Sequence, residues 1–397
     1  MGRVDTTVLP VAAVAIAVAL GFGLVVPVLP LFVRSFGVSP TDAGLVVSVF
    51  SLVRLLFDVP AGRIVDRIGP APAMAAGTGL VGVSSLLVAF APSFEWLVVL
   101  RGAGGVGSAL FSASLTAYVL ARVPPERVGS AMGTVSAAFM LGSIFGPTVG
   151  GLASGELGLR APFLLYGGFC GLAALIALLV VGPASREAHA RAAAHGGARL
   201  TFSPMLLTAL LATFSLWWLI GGFRFLLVPL YGRDELLLNE AQIGLGITAS
   251  SLANLLVLWP AGRAADRLGP RLVGVPAFLL LGLTGLAFLP AQGLGGYLIA
   301  NALFGLIYGF ATVVPGVLLA RVLPAGRSGS VAGLSSFSGD LGGVIGPVAL
   351  GSALTGGGYP LAIVLSGIPA ILAALGIAAT PLRPPARAPS EPAATPR

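Results

Sequence analysis

The sequence is that of an all-α integral membrane protein: twelve transmembrane helices in two pseudo-symmetric six-helix bundles, both termini cytoplasmic. Three features lead there. Of 397 residues, 56% are hydrophobic and only 9% charged, at a mean hydropathy of +1.00. A soluble chain of this length has nowhere to hide so much apolar surface, so the bilayer is its solvent. The apolar residues gather into twelve runs, each about long enough to cross ~30 Å of hydrocarbon as a helix. The second half also restates the first at a fixed offset of 200 residues. DVPAGRIVDRIGP at 58–70 returns as LWPAGRAADRLGP at 258–270, with eight of thirteen positions identical.

In order, the runs fall near 9–32, 43–62, 73–91, 96–120, 129–152, 161–182, 205–228, 241–262, 272–290, 294–319, 330–353 and 360–380. Lipid offers no partner to a free backbone N–H or C=O, so only helices and closed barrels cross it. The runs are continuous rather than alternating, which makes them helices. The first is too long for a removed signal peptide and has no small-residue cleavage site. Between the sixth and seventh lies GPASREAHARAAAHGGARL, 182–200, polar and rich in small residues. It reads as a cytoplasmic linker, 183–203, between an N-terminal bundle, 1–182, and a C-terminal bundle, 204–381. Its histidines, His189 and His195, are six apart in a flexible segment, a poor pair for a metal. The proline-rich end, 382–397, reads as a disordered tail.

All 22 basic residues are arginine, and the net charge is +8. Such a balance raises nucleic acid as a partner in a soluble protein, but here orientation explains it. With the N-terminus inside, sixteen arginines fall on the cytoplasmic side and only Arg34, Arg160 and Arg233 outside. The single cysteine, Cys170, sits in an apolar run and excludes a disulfide framework or a cysteine-based metal site.

The repeat reaches well beyond its first stretch. Arg127, Gly129, Ser130 and Gly133 match Arg327, Gly329, Ser330 and Gly333; Gly142, Gly146 and Pro147 match Gly342, Gly346 and Pro347. Runs two, four and five thus align with eight, ten and eleven. An even number of helices per repeat gives parallel halves, with a binding site expected between them.

Gly62-x-x-x-Asp66-Arg67-x-Gly69 is expected in the cytoplasmic loop after run two, and Gly262-x-x-x-Asp266-Arg267-x-Gly269 after run eight. Glycine permits a tight turn and close approach, aspartate can meet a helix N-terminus, and arginine can pair across the bundle interface. The two stretches read as conformational latches. Run five carries Gly142-x-x-x-Gly146-Pro147-x-x-Gly150-Gly151, a groove of glycines with a bend.

Charge inside a membrane is costly and is a functional lead by default. Here it is also unmatched between the halves: Arg54 faces Asn254, Asp58 faces Leu258, Arg101 faces Asn301 and Asp340 faces Met140 in the repeat. Asp340 lies about ten residues, roughly 15 Å, into run eleven, near the midplane. A desolvated carboxylate there is the leading proton site; the alternative is a permanent ion pair with an arginine of the other bundle. Arg54 and Asp58, four apart on one helical face, form either a local pair or part of the latch and relay. Arg224 in run seven either faces the cavity or snorkels to the interface.

These motifs resemble those of the major facilitator superfamily over essentially the whole chain. The loop stretch matches that superfamily's signature between helices two and three, except that Ala71 and Pro72 stand where basic residues are usual, with Arg63 as the compensating charge. The run-five pattern, with GLVVPVLPLF at 23–32, is similar to the twelve-helix drug:proton antiporters. The resemblance implies a proton-coupling role for Arg101, in Arg101-x-x-x-Gly105-x-Gly107. It also implies a cavity lined from helices one, four, seven and ten, with Phe22, Arg101, Trp217, Arg224, Asn301 and Tyr308 as candidates. Trp217 and Trp218 point different ways, so one of them at most lines it.

The expected function is therefore secondary active transport: proton-coupled efflux of small apolar or amphipathic molecules by a rocker-switch between the bundles. The alternative is a coupled carrier of a specific, anionic metabolite. The expected partners are a small-molecule substrate and the bilayer of a bacterial inner membrane, with no nucleic acid, no cofactor beyond a coupling proton, and a monomeric state. An enzyme is not expected, because no metal-ligand cluster or nucleophile–base pair is present; Ser84 and Ser85 have no base partner in sequence.

Overall fold

The structure, a computed structural model, describes residues 8–123, 127–181, 203–322 and 328–380. The predicted linker (save Ser203), its two histidines and the predicted tail lie outside the described residues. The described residues hold no strand. The helices are α1 (Leu9–Val25), α2 (Leu29–Arg34), α3 (Pro40–Ile68), α4 (Pro70–Val88), α5 (Phe94–Arg122), α6 (Val128–Leu157) and α7 (Ala161–Ile176). There follow α8 (Pro204–Trp218), α9 (Val228–Asp234), α10 (Glu240–Leu268), α11 (Pro270–Leu283), α12 (Gly293–Thr312), α13 (Val314–Val322) and α14 (Ser328–Ala379). Among the described residues, ten helical stretches are long and apolar enough to cross a membrane, and α1 is a shorter apolar helix.

Departures from the predicted runs have local causes. The first run breaks at Val26–Val28, so that α2 starts with Pro30 in its first turn, where a missing N–H costs nothing. In the seventh run, α8 passes into α9 through a π-helical stretch, Leu219–Leu227. The last two runs meet at Gly358, whose φ of 72° and ψ of −172° are not helical.

The repeated stretch is largely not a loop. α3 and α10 run on through Gly62–Arg67 and Gly262–Arg267 to Ile68 and Leu268, and the whole turn is one residue, Gly69 or Gly269. These have φ of 88° and 85°, a region where a side chain clashes and glycine does not. Pro70 and Pro270 then start α4 and α11. The other ends match too: Ser39 with Asp42 caps α3 by a reciprocal capping box, and Asn239 with Gln242 caps α10 in the same way.

Within the first bundle α1 packs on α6 and α7, α3 on α5, and α4 on α5 and α7; in the second, α8 and α11 pack on α14, and α10 on α12. The broadest contacts that join the bundles are α3 with α14 and α10 with α6; α3 also meets the π-helical stretch, and α2 meets α9. Leu256 at 75% and Leu179 at 73% exposure are spread over the outer surface, as lipid-facing residues are.

Candidate functional site

The interface between the bundles is built twice, by the repeat. The N-terminal half of α3 lies against α14 around residues 344–351, and that of α10 against the C-terminal half of α6. Ser48 Oγ donates to Val344 O at 2.6 Å, and Thr248 Oγ1, the repeat equivalent of Ser48, donates to Ile144 O at 2.8 Å. Thr148 Oγ1 donates to Thr248 Oγ1 at 2.7 Å, and Ser251 Oγ to Ser143 O at 3.0 Å. Backbones touch here: a Cβ on Gly44 would meet the backbone of Pro347, and one on Gly244 that of Pro147. At this end Arg34 Nη1 meets Asp234 Oδ2 at 2.5 Å, and Tyr359 OH donates to the same oxygen at 2.7 Å. Arg34 and Asp234 are themselves repeat equivalents.

The run-five motif belongs to this closed end. Gly142, Gly146 and Gly150 face α1, where a Cβ on Gly146 would stand 2.6 Å from the Gly23 Cα. Gly151 and Pro147 face α10; a Cβ on Gly151 would stand 3.0 Å from the Ala241 Cα. The opposite end differs. Asp66, Arg67, Asp266 and Arg267 are exposed, and a Cβ on Gly62 or Gly262 would meet nothing within 4 Å. The predicted latch glycines thus make no close approach in this conformation. Among the described residues, the polar contacts between the bundles gather toward the Arg34 end, and Gly62 and Gly262 have open space beside them.

Between the bundles lies a cavity lined from both. Its walls include Phe22, Phe50, Phe225 and Trp217, with Phe22 set 6.4 Å from Phe50 and 5.8 Å from Phe225, ring centre to ring centre. Its polar groups are Ser51, Arg54, Arg101 and Asp340. Asp340 of α14 is 8% exposed and interacts side chain to side chain with Asp58 of α3, across the bundle interface. The charge of Arg54 acts on both carboxyls. Among the described residues no ion pair within 4.0 Å joins Arg54 to either.

Arg101 does not face a carboxylate. It is 7% exposed, and its guanidinium lies over the Phe50 ring at 4.6 Å from the centroid. Its Nε–H has no partner. Trp217 lines the cavity, whereas Trp218 turns away and donates from Nε1 to Ser366 O at 3.1 Å.

Three candidates lie outside the cavity lining. Asn301 is 1% exposed and donates to Tyr297 O one turn back in α12. Tyr308 stacks on Phe304 at 5.7 Å. Arg224 is buried and does not snorkel: it donates to Ser251 Oγ at 2.5 Å and to Ile247 O at 3.2 Å. Of the four helices expected to line the cavity, runs one, four and seven do so and run ten supplies no lining residue among the described residues; α3 and α14 supply Phe50, Ser51, Arg54, Asp340 and Gly343 instead. For Asp340 and Arg54 the signal was charge in an apolar run; for Ser51 and Phe50 nothing in the sequence marks the inward face.

The Major Facilitator Superfamily matches this chain twice, over residues 11–237 and 219–397. The multi-drug resistance efflux pump PmrA of Streptococcus pneumoniae is 32% identical over 350 residues, covering 84% of this chain and 85% of its own. Among solved structures, a bacterial homolog of the human lysosomal transporter Spinster, inward-facing and occupied, superposes with a TM-score of 0.75 at 14% identity, covering 93% of this chain and 95% of that one. The nucleoside transporter NupG does so at 0.76 and 12%, covering 94% and 99%. Duplicated bundles, a central cavity and a match over nearly the whole length agree: this chain belongs to the Major Facilitator Superfamily, as a multi-pass plasma-membrane transporter and not an enzyme.

Proposed function

We propose that the chain is a proton-coupled antiporter that expels small apolar or amphipathic molecules by rocking its two bundles about the central cavity. The observation that carries this reading is the Arg54–Asp58–Asp340 cluster, which spans the bundle interface beside an aromatic cavity. A carboxyl there is shielded from water while the cavity is closed and reached by it when the cavity opens, so proton binding and bundle position are linked. Arg54 lowers the cost of charge on the pair, and two adjacent carboxyls of like charge resist ionising together. Similarity to an efflux pump over most of the chain supports the direction and the substrate class.

In this reading the chain crosses a bacterial inner membrane twelve times, with α1–α2 as one crossing and α14 as two. It works as a monomer with both termini in the cytoplasm. The Gly62 end then faces the cytoplasm, and the conformation described is inward-facing. The Gly62–Gly69 and Gly262–Gly269 stretches close that end in the outward-facing state.

Reconstituted vesicles test the reading. An imposed proton gradient should drive accumulation of ethidium against its own gradient. Asp340→Asn should lose that driven accumulation and keep gradient-free exchange. Accumulation that ignores the proton gradient in the native protein would end the proposal.

A further inference from the structure

α10 is tied to α6 by a hydroxyl that has a choice of acceptors. Ser251 Oγ lies 3.1 Å from Ile247 O, one turn back in its own helix, and 3.0 Å from Ser143 O, across the bundle interface. It has one proton to give. A serine inside a helix commonly gives it to the carbonyl one turn back. Arg224 alters the choice. Its Nη2 donates to Ile247 O at 3.2 Å and to Ser251 Oγ at 2.5 Å. Ile247 O also takes the helical N–H of Ser251, so both of its lone pairs are in use. Ser143 O is the reverse case: the residue four further on is Pro147, which has no N–H to give it. The guanidinium thus fills the near acceptor and turns the proton to the far one.

The repeat supplies the comparison. Ser51 stands where Ser251 does and Gly343 where Ser143 does, and Pro347 again leaves the Gly343 carbonyl without its helical donor. The position of Arg224 is held by Leu24, which has no donor. A Cβ on Gly343 would lie 3.4 Å from Ser51 Oγ, so the groups are close. Yet the bonded hydroxyl at this level of α3 is that of Ser48, and Ser51 makes no such bond among the described residues. We infer that Arg224 is a positioning residue of the rocking step: it holds the Ser251 hydroxyl on the Ser143 carbonyl and so locks α10 to α6 in the conformation described. The inference rests on the rocking of the antiport reading and does not use its proton. This contact parts when the Arg34 end opens, so its strength sets how often that end opens. The lock also adjoins the cavity, because Arg224 lies in the π-helical stretch whose Ile220, Gly221 and Phe225 line it.

The test uses the full-length protein in lipid nanodiscs, with Cys170→Ala and a reporter thiol from Ala241→Cys, where α10 lies beside Gly151 of α6. Maleimide labelling of the reporter reads opening of the α10–α6 pair and needs neither substrate nor proton gradient. Arg224→Met, which keeps the length and loses every donor, should speed labelling about fivefold, the usual effect of one hydrogen bond. Ser251→Ala should do the same. The double variant should label no faster than either, because Arg224 acts through Ser251. An arginine that only filled the core would add its effect to that of Ser251→Ala. The inference is overturned if Arg224→Met or Ser251→Ala labels at the rate of the reporter protein, or if the two effects multiply. If Arg224→Met does not fold, Arg224→Leu, the residue of the first half, takes its place. Failure here leaves the ethidium test of the antiport reading standing, and ethidium accumulation that ignores the proton gradient leaves the lock standing.

Discussion

Gly146 and Gly62 are the same residue in opposite circumstances. A Cβ on Gly146 would run into the Gly23 backbone, while one on Gly62 would meet open space. Gly146→Val should therefore cost stability, about 1–3 kcal/mol for a side chain forced into packed backbone, read as a fall in Tm of the purified protein. Gly62→Leu should leave Tm unchanged and slow transport severalfold, because in the proposed cycle the residue fills space that this end needs when it closes. Loss of Tm in Gly62→Leu would show that this end does not open as described. The unmatched charges Arg54, Asp58, Arg101 and Asp340 were legible once the halves were aligned, because each stands against a neutral residue. The surroundings of Arg224, Asn301 and Tyr308 were not. A continuous apolar run carries no stripe to say which face of the helix turns inward, so cavity and core look alike in sequence.

Element by element, the two interface pairs do the holding. Thr148 of α6 and Thr248 of α10 are bonded at 2.7 Å across the bundles. With Thr148→Cys and Thr248→Cys in a Cys170→Ala background, oxidation should cross-link the pair, stop transport, and be reversed by dithiothreitol. Transport that continues while the cross-link is intact would contradict rocking at this interface. Beyond it, Asp234 is shared by Arg34 and Tyr359. Asp234→Asn should weaken closure by about 1 kcal/mol, since the pair is partly exposed and screened. The expected readout is faster labelling of a Thr41→Cys thiol from the outside. Helix number and order were close to legible, but helix ends were not: the run at 43–62 became Pro40–Ile68. Apolar runs measure the thickness of the hydrocarbon, whereas capping residues and glycine turns set where helices stop. That difference made the Gly62–Arg67 stretch read as loop.

At the scale of the molecule, duplication explains why one polar stretch is written twice. Each bundle needs the same single-residue glycine turn after the same long helix, and each half supplies the contacts that the other half completes. The repeat was plain in the sequence; the conformation was not, because in the antiport reading one sequence encodes both the state closed at the Arg34 end and a state closed at the Gly62 end. The central claim is that Asp340 couples a proton to the substrate, and the most direct measurement is proton release from purified protein in weakly buffered solution on adding amphipathic cations such as tetraphenylphosphonium. The account predicts release by native protein and none by Asp340→Asn. Equal release from both would contradict it, and would leave Asp340 as a structural member of the cluster with Asp58 as the acid.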